Sequence, residues 1–589
     1  VCASCSDGAH ATWRCQDCPM GTVKCRCCMR CSHQENPFHR IQRWVGSHFR
    51  PAELWEVGVY ILVPHHLNHH ICNTLKMQKQ YLEAREMVRD DIEQEHGARG
   101  NQPRSDMFHN SYVRVVHTNG LHNLALVFCL CHGEDQLPID LMASRIVPAS
   151  FEQVKTVFTA QVLDHARLCN LELKSSTYQY YSLLKRLTSP MAPLDVVNLY
   201  NVFRRMLRLW RWMKKLKWAG YGNWIKDIGD IGEGGLVNFC VACPIEGVNL
   251  GEKWRDDPNR WAYRRTFVAD GNFKADHVKP VKPSTDIWLS EGSGMDPVRG
   301  SYWSFLKTAF EKLTVTPCEN MFRAIKNSLL ASKACDITGK VAIACARHGW
   351  YAPAAMVDLY HGEQQKNVDF ALLQAIKTTN VQPGQNILLI YDIACQYSIH
   401  LQSRIGDKLL EGMDIDYAIG LFHVHAHKDL CFFRYATTFI PGAAVVAGEI
   451  LEPNWAELNK ISPAAWTATT AHRSEIISDH GSDSNHKKCI GMTGALCKRI
   501  KEAETRSHET QEAYRSLTAT LDSAQVKMWL DEVLLAKAQR STNISAMDVY
   551  VPRVPSASAA GLGEERSSSD ARSPVEVYMQ FATLVEQKQ

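Results

Sequence analysis

The chain has 589 residues, of which 45% are hydrophobic and 22% are charged, as is typical of a globular protein with ample core. At ~150 residues per domain, this length predicts three or four domains. The formal net charge is only +4, too small to indicate a nucleic-acid partner by itself, so any basic surface must be local. The sequence has no run of about 18 apolar residues, which excludes a transmembrane helix, and we expect no membrane partner.

The first segment is rich in cysteine. Eight of the 21 cysteines fall between Cys2 and Cys31, a density that indicates metal ligands rather than a disulfide framework. Paired Cys-x-x-Cys knuckles suit tetrahedral Zn²⁺, and two such sites need eight ligands. The segment offers the following eight, in a cross-braced pattern resembling a B-box or treble-clef finger: Cys2, Cys5, Cys15, Cys18, Cys25, Cys28, His33 and His39.

Spacing alone does not settle which of Cys25, Cys27, Cys28 and Cys31 bind the metal, and free buried thiols are the alternative. A zinc ion bound by these residues would serve folding rather than catalysis.

Two later stretches also carry candidate ligands. The histidine-rich run 64–72 is either a metal site or a solvated helix end. For the pair Cys129 and Cys131 we expect thiols on opposite faces of a strand, unless a turn intervenes.

A basic amphipathic helix is predicted over Arg204–Trp218. Apolar residues recur at helical spacing on one side, and cations fall mainly on the other. The cations are Arg204, Arg205, Arg208, Arg211 and Lys215. The helix either lies along a DNA backbone, where cations release counterions, or is a surface helix whose long side chains cover an apolar face. Further along, Cys240 and Cys243 form another knuckle that could bind metal.

An α/β core follows. Strands are predicted at 265–269, 340–346 and 354–359, then a helix at 368–377 and a buried strand at Ile387–Ile390. That order is the order of an RNase H-like fold. Asp270 ends the first of these strands and Asp392 follows the last. In such a fold the two strand ends are neighbours, so the aspartates should face one another across a metal site.

The third carboxylate should come from a later helix, and GEILEPNWAELN offers Glu449, Glu452 and Glu457. Two divalent ions ~3.5–4 Å apart can activate a water or a 3′-hydroxyl and stabilise the departing oxygen. Oxygen ligands favour Mg²⁺ or Mn²⁺ over zinc.

Another candidate metal site lies nearby in the sequence. His423, His427 and Cys431 have the spacing of one helical face. They form either a further zinc site, with Cys395 or another thiol, or a set of packed polar groups.

Many motifs in the same order resemble the Kyakuja–Dileera–Zisupton (KDZ) transposases, a family abundant in fungal genomes, with their CxC-like cysteine cluster at the N-terminus. The resemblance covers roughly Cys2 to Lys488. Its motifs are the opening cysteines with PFHRIQRW (Pro37–Trp44), HTNGLH (His117–His122), FCLC (Phe128–Cys131), CVACPIEGVNL (Cys240–Leu250), DGNF (Asp270–Phe273), CARHG (Cys345–Gly349), YDIACQY (Tyr391–Tyr397), HVHAHKDLC (His423–Cys431) and GEILEPNWAELN (Gly448–Asn459).

The resemblance implies a cut-and-paste DNA transposase with an RNase H-like DDE core and helical insertions, acting in the nucleus as a homo-oligomer on double-stranded DNA. It assigns Asp270 and Asp392 as the first two carboxylates and prefers Glu452 to Glu449 as the third. Two departures stand out: Ala447 replaces an acidic residue before the Gly-Glu, and Pro453 follows Glu452, where the family commonly has arginine. The alternative is therefore a catalytically inactive, transposase-derived module that binds DNA or protein through zinc.

The expected organisation has four parts. Residues 1–135 form the cysteine-cluster region, and 136–255 a mostly helical linking or DNA-binding region. Residues 256–500 form the transposase core. A long polar helix is predicted from Ile500 to Gln539. The last part, 501–589, also contains a tail whose composition at Ser556–Ser573 predicts disorder.

Overall fold

The structure is a computed structural model. It describes residues 1–551 with these exceptions: 6–7, 66–70, 93–104, 106–108, 130, 132, 134–135, 223–225, 282–284, 310–333, 407–410, 445 and 447. Most of the histidine-rich run at 64–72, Ala447 and the tail at 556–573 therefore lie outside the described residues. The chain divides into two compact units, Val1–Arg211 and Trp212–Gln589, and the four-part division stays a prediction.

The first unit contains two sheets. The four-stranded sheet has the order β2-β1-β3-β4 and the five-stranded sheet the order β5-β7-β6-β9-β8. The strands are β1 Trp13–Cys15, β2 Val23–Lys24, β3 Ile41–Trp44, β4 Phe49–Ala52, β5 Tyr60–Leu62, β6 Tyr112–His117, β7 Gly120–Val127, β8 Ile146–Pro148 and β9 Thr156–Thr159. Buried residues of both sheets, among them Trp13, Ile41, Val115 and Leu124, form one apolar core.

Helices complete this unit. They are α1 Arg26–His33, α2 Asn73–Ile92, α3 Leu137–Ala143, α4 Ala160–Leu173, α5 Thr177–Thr188 and α6 Tyr200–Trp218, the last of which runs past the boundary between the units. Local capping explains where α5 begins, because the Ser176 and Gln179 side chains bond each other's backbone N–H groups in a capping box. None of the described helices has the length and apolar character needed to cross a membrane.

The second unit is built on a five-stranded sheet of order β14-β13-β10-β15-β16. The strands of this unit are β10 Arg265–Asn272, β11 His277–Val278, β12 Cys335–Ile337, β13 Gly339–Cys345, β14 Tyr351–Leu359, β15 Ile387–Ile390 and β16 Ile415–Ala418. Strand β13 is antiparallel to both β10 and β14, whereas β15 is parallel to both β10 and β16. Strands β11 and β12 pair separately.

Helices cover both faces of this sheet. They are α7 Arg299–Thr308, α8 Gln365–Thr378, α9 Ala394–Ile405, α10 Asp429–Tyr435, α11 Leu451–Asn459, α12 Ser462–Ala465, α13 Thr470–Thr518 and α14 Ser523–Gln539. Successive strand residues point to opposite faces. Phe267 therefore packs in the core that contains α8, while Val268 packs in the core that contains Trp455 and Ile477.

The predicted strands and helix of the core are all present, and all but one have shifted ends. Strand β15 has the predicted bounds. Strand β10 runs to Asn272, so Asp270 lies inside the strand rather than after it, because pairing with β13 continues through Asn272 and Lys340. The prediction of one long helix from Ile500 to Gln539 is wrong. The residues belong to α13 and α14, and Asp522 caps the start of α14.

Candidate functional site

Two predicted carboxylates lie at one edge of the central sheet. Strands β10 and β15 are parallel neighbours, with Val268 opposite Ile390. Asp270 and Asp392 each follow that matched pair by two residues, so the parallel register brings both to the same edge. Burial and the nearby charge of Asp392, followed by that of Glu363, raise the pKa of Asp270 to about 8. The structure thus brings the two aspartates together.

Asp270 is held by two hydrogen bonds. The indole Nε1 of Trp455 donates to Oδ2 at 2.8 Å, and the backbone N–H of Gly271 donates to Oδ1 at 2.8 Å. Trp455 lies on α11 and is buried against the sheet. Both hydrogen bonds lower the pKa of Asp270, but burial and like charge outweigh them. The side chain is therefore oriented by two donors that carry no positive charge.

Glu363 is a residue of this site that the sequence reasoning missed. It follows β14 in the stretch His361-Gly362-Glu363, and the hydroxyl of Tyr391 donates to its Oε1 at 2.6 Å. Burial, together with the charge of Asp392, raises the pKa of Glu363 to about 7 despite that hydrogen bond. The sequence does contain a signal that could have identified Glu363, because it is an acidic residue just beyond the third predicted strand.

The close approach of Glu363 to β10 depends on Gly271. A Cβ built on Gly271 would lie 2.1 Å from Oε2 of Glu363, a distance that real Cβ atoms do not adopt. Any larger residue at position 271 must therefore displace the Glu363 carboxylate.

The glutamates of the GEILEP stretch lie beside Asp392. Burial raises the pKa of Asp392. His423 opposes this effect, whereas Glu449 and Glu452 add to it. The His423 ring lies between two carboxylates, with Nδ1 3.6 Å from Asp392 Oδ2 and Nε2 3.5 Å from Glu452 Oε1. Glu449 accepts from the backbone N–H of Phe422 at 2.9 Å. Both candidate third carboxylates therefore adjoin Asp392, and Glu452 is the more open, with 62% of its side chain exposed.

The opening cysteines form two groups of four that could each hold a metal ion. The first is Cys2, Cys5, Cys25 and Cys28, and the second is Cys15, Cys18, His33 and His39. These are the eight predicted ligands, with the first and third pairs together and the second and fourth together. Cys27 and Cys31 belong to neither group. Helix α1 carries ligands of both groups, so the two sites share one structural element.

Three further groups of ligand atoms occur among the described residues. They are His65, Cys72, Cys129 and Cys131; Cys240, Cys243, Cys345 and His348; and Cys395, His427 and Cys431. The prediction that Cys129 and Cys131 lie on opposite faces of a strand is wrong. Strand β7 ends at Val127, so both lie beyond it, and residues two apart in a strand would in any case share a face. The first two of these three groups have four cysteine and histidine ligands, as tetrahedral zinc prefers, and the third has three; all could hold zinc.

The single helical face predicted for His423, His427 and Cys431 is wrong. His423 begins a short 3-10 turn, His423–Ala426, and Cys431 lies on the separate helix α10. The break in the helix turns His423 toward Asp392 and leaves His427 and Cys431 with Cys395.

Comparison with protein families gives two matches. Residues 263–485 match the Kyakuja-Dileera-Zisupton transposase model, and residues 91–192 match a CxC2-like cysteine cluster associated with KDZ transposases. The chain therefore contains a KDZ transposase domain, preceded by the cysteine-cluster domain that accompanies it. No curated protein and no solved structure matches it. The KDZ segment contains all five carboxylates of the site: Asp270, Glu363, Asp392, Glu449 and Glu452.

The match to the KDZ transposase model supports a transposase-like function and implies DNA binding. The basic helix, α6, lies between the two matched segments. The prediction that its cations face DNA is wrong for three of them. Arg208, Arg211 and Lys215 are buried. Arg211 donates to Asn170 Oδ1 at 3.1 Å and Lys215 to Ser478 Oγ at 3.0 Å.

The cations of α6 turn inward because α6 is covered on more than its apolar side. Arg204 is partly buried, and Arg205 is exposed and donates to the Ala149 carbonyl at 2.8 Å. Only these two cations of the predicted set have side chains at the surface.

Proposed function

We propose that this KDZ transposase is a DDE-type enzyme that cleaves DNA at transposon ends and joins the freed 3′-hydroxyls to target DNA, in the nucleus and as a homo-oligomer. The proposed core is RNase H-like. In chain order its sheet strands β10, β13, β14, β15 and β16 are arranged 3-2-1-4-5, with the first three antiparallel. The sequence predicts three strands, a helix and a fourth strand, with the ends of the first and fourth strands as neighbours. The pairing of β10 with β15 agrees with that expectation and supports the proposal.

One observation carries the proposal. Five carboxylates meet at one sheet edge, and among the described residues none of the five forms an ion pair with a lysine or an arginine. Buried carboxylates normally pair with a cation or take up a proton. A cluster without such a cation, in which burial and like charge raise the pKa of Asp270 and Glu363, fits divalent cations that would displace the protons. Its all-oxygen donor set fits Mg²⁺ or Mn²⁺.

We assign the following roles to the residues of the site. Asp270 and Asp392 would hold cations from adjacent strands, and Glu452, or Glu449 as the second choice, would complete the site from α11 or from the segment before it. Tyr391 and Trp455 orient Glu363 and Asp270 through hydrogen bonds. When bound, the cations would activate the oxygen that attacks the phosphorus and stabilise the oxygen that leaves it. The zinc clusters would position DNA or partner protomers.

The test uses the full chain with plasmid DNA that carries the genomic sequence flanking its gene, in Mg²⁺ or Mn²⁺. We expect cleavage by the wild type and its loss in Asp270→Asn and Asp392→Asn. Asp256→Asn is the matched control, because Asp256 is exposed and lies outside the site. Equal cleavage by wild type and both site variants would overturn the proposal.

A second candidate function is a catalytically inactive module that binds DNA or protein. It is favoured by the His423 ring between Asp392 and Glu452 and by Pro453 directly after Glu452. Its signature in the same assay is DNA binding that requires zinc, with no cleavage at any concentration of Mg²⁺ or Mn²⁺.

A further inference from the structure

A compact Cys₃His cluster lies in the second unit, away from the carboxylates. Its distances are 3.3 Å from Cys240 Sγ to His348 Nδ1, 3.3 Å from Cys243 Sγ to Cys345 Sγ, and 3.5 Å from Cys345 Sγ to His348 Nδ1. With Zn–S near ~2.3 Å and Zn–N near ~2.0 Å, tetrahedral ligand atoms lie roughly 3.5–3.8 Å apart. The four donors therefore approach the spacing of one tetrahedral site.

The four donors come from two knuckles of equal spacing. Cys240-x-x-Cys243 precedes β10, and Cys345-x-x-His348 begins at the last residue of β13 and turns through a Gly349 N–H to Cys345 carbonyl bond of 2.7 Å. The three thiols are buried, with 0%, 4% and 1% exposure for Cys240, Cys243 and Cys345. Cys345 pairs with Phe267, three residues before Asp270, so the cluster lies toward the start of β10.

A buried arginine gives independent support. Arg265, the first residue of β10, has 0% exposure. Its Nη2 donates to the carbonyls of Pro244 at 2.7 Å and Thr379 at 3.2 Å. Pro244 directly follows Cys243. Within the described part of the chain, Nε and Nη1 of Arg265 have no hydrogen-bond partner, and its largest charge interactions are with Cys243, Cys345 and Cys240 rather than with a carboxylate.

A buried guanidinium without a counter-charge is costly. Neutral thiols beside Arg265 would leave its charge uncompensated. Three thiolates and one neutral imidazole around Zn²⁺ carry a net charge of −1, which matches the single positive charge of Arg265.

We propose that Cys240, Cys243, Cys345 and His348 hold a structural Zn²⁺ and that Arg265 is its counter-charge. The ion joins the segment before β10 to the end of β13 and so fastens the central strand at the end opposite the carboxylates. All four coordination positions are filled by the chain, so the ion supports the fold. The proposal does not depend on transposase activity.

The first test measures zinc per folded chain by mass spectrometry of the metal. Cys345→Ser should lose about one zinc ion relative to wild type, because one ligand of a four-ligand site is removed. Cys335→Ser is the matched control. Cys335 is a partly buried cysteine at the start of β12 that belongs to no ligand group, and its variant should keep the full zinc content. Unchanged zinc in folded Cys345→Ser would overturn the site.

A second variant tests the zinc site if Cys345→Ser does not fold. His348→Cys keeps four ligands and should retain its metal. After Co²⁺ substitution, the added thiolate should strengthen the sulfur-to-cobalt charge-transfer absorption and move the visible bands to longer wavelength. A cobalt spectrum identical to that of the wild type would show that His348 is not a ligand.

The counter-charge is tested by chelator competition. Arg265→Met should release one zinc ion at a lower chelator concentration than wild type, and Arg265→Lys, which restores a positive charge, should recover much of the difference. Equal zinc retention by Arg265→Met and wild type would overturn the role assigned to Arg265.

Discussion

The indole N–H of Trp455 on α11 donates to Oδ2 of Asp270 on β10 at 2.8 Å. This bond joins the helix that begins one residue before Glu452 to the strand that carries the first carboxylate. Trp455 also packs on Tyr351 of β14, with ring centroids 5.7 Å apart. The position of α11, and with it that of Glu452, is therefore coupled to the orientation of Asp270.

Trp455→Phe should keep most of this packing and remove the donor. Because a buried carboxyl loses a hydrogen bond, we expect a loss of ~1–3 kcal/mol in the free energy of unfolding, measured with urea. Trp466→Phe is the control, since Trp466 is 44% exposed, and it should change stability by less than ~0.5 kcal/mol. Equal effects of the two variants would contradict the role of the hydrogen bond.

The raised pKa of Asp270 predicts how stability depends on pH. The pKa rises from 3.8 to about 8 on folding, so between these values the folded protein holds a proton that the unfolded chain has released. The stability from this group is fully present below the lower value and is lost as pH rises through about 8. Each unit of difference corresponds to ~1.4 kcal/mol.

Asp270→Asn should therefore flatten the fall in stability between about pH 5 and about pH 8 in metal-free protein, measured by thermal unfolding. Asp256→Asn should leave the fall unchanged. Added Mg²⁺ should raise the melting temperature of wild type at the upper pH more than that of Asp270→Asn, because bound ligands stabilise the folded state. A pH dependence unaltered by Asp270→Asn would contradict the raised pKa of the buried Asp270 carboxyl.

Gly271→Ala should displace Glu363, because the new Cβ would meet its Oε2 at 2.1 Å. If Glu363 helps to hold a cation, Gly271→Ala and Glu363→Gln should weaken Mg²⁺ binding alike, measured by calorimetry. Gly300→Ala is the matched control. Gly300 lies on α7, and a Cβ there would meet no atom within 4 Å. If Glu363→Gln binds Mg²⁺ like wild type, Glu363 does not serve the metal site.

The two N-terminal ligand groups should lose metal together. Cys25 caps α1, accepting from Cys28 N at 3.5 Å, and the same helix holds His33, whose Nδ1 lies 2.9 Å from the Met29 carbonyl. Cys28→Ser should loosen α1 and so release more than about one zinc ion per chain. Cys31→Ser, an exposed cysteine outside both groups, should release none. Loss of a single ion from Cys28→Ser would show that the groups are independent.

Arg211 should matter for stability and not for DNA binding. Arg211→Gln leaves the buried Asn170 without its donor, and we expect a loss of ~1–3 kcal/mol. The salt dependence of DNA binding should stay as in wild type, because each phosphate contact contributes about 0.9 to that slope and a buried cation makes none. Arg205→Gln, on the same helix but exposed, is the control for stability. A lowered salt slope in Arg211→Gln would contradict the burial.

Several features of the fold and the site were predictable because they depend on near neighbours in the chain. The run Ile387–Ile390 is apolar throughout, as a strand buried on both faces requires, and it forms β15. The Cys-x-x-Cys spacing brings two thiols together whatever surrounds them, and the structure groups Cys2 with Cys5 and Cys15 with Cys18. The order of motifs indicated the KDZ family, which the family comparison confirms.

Other features were decided by the tertiary structure alone. Glu363 joins Asp270 because β14, β13 and β10 are neighbours in the sheet and Gly271 leaves room. His423 reaches Asp392 because a 3-10 turn replaces the expected helix. Cys345 and His348 meet Cys240 and Cys243 across about a hundred residues of sequence, as the separation of 102 residues between Cys243 and Cys345 shows.

The physical reason is the difference between local and long-range constraints. Periodicity, capping and knuckle spacing depend on backbone geometry over a few residues, so the sequence determines them directly. Strand register, burial and the neighbours of a charge depend on how distant segments pack. The cations of α6 illustrate this: their spacing is that of an amphipathic helix, but packing buries Arg208, Arg211 and Lys215.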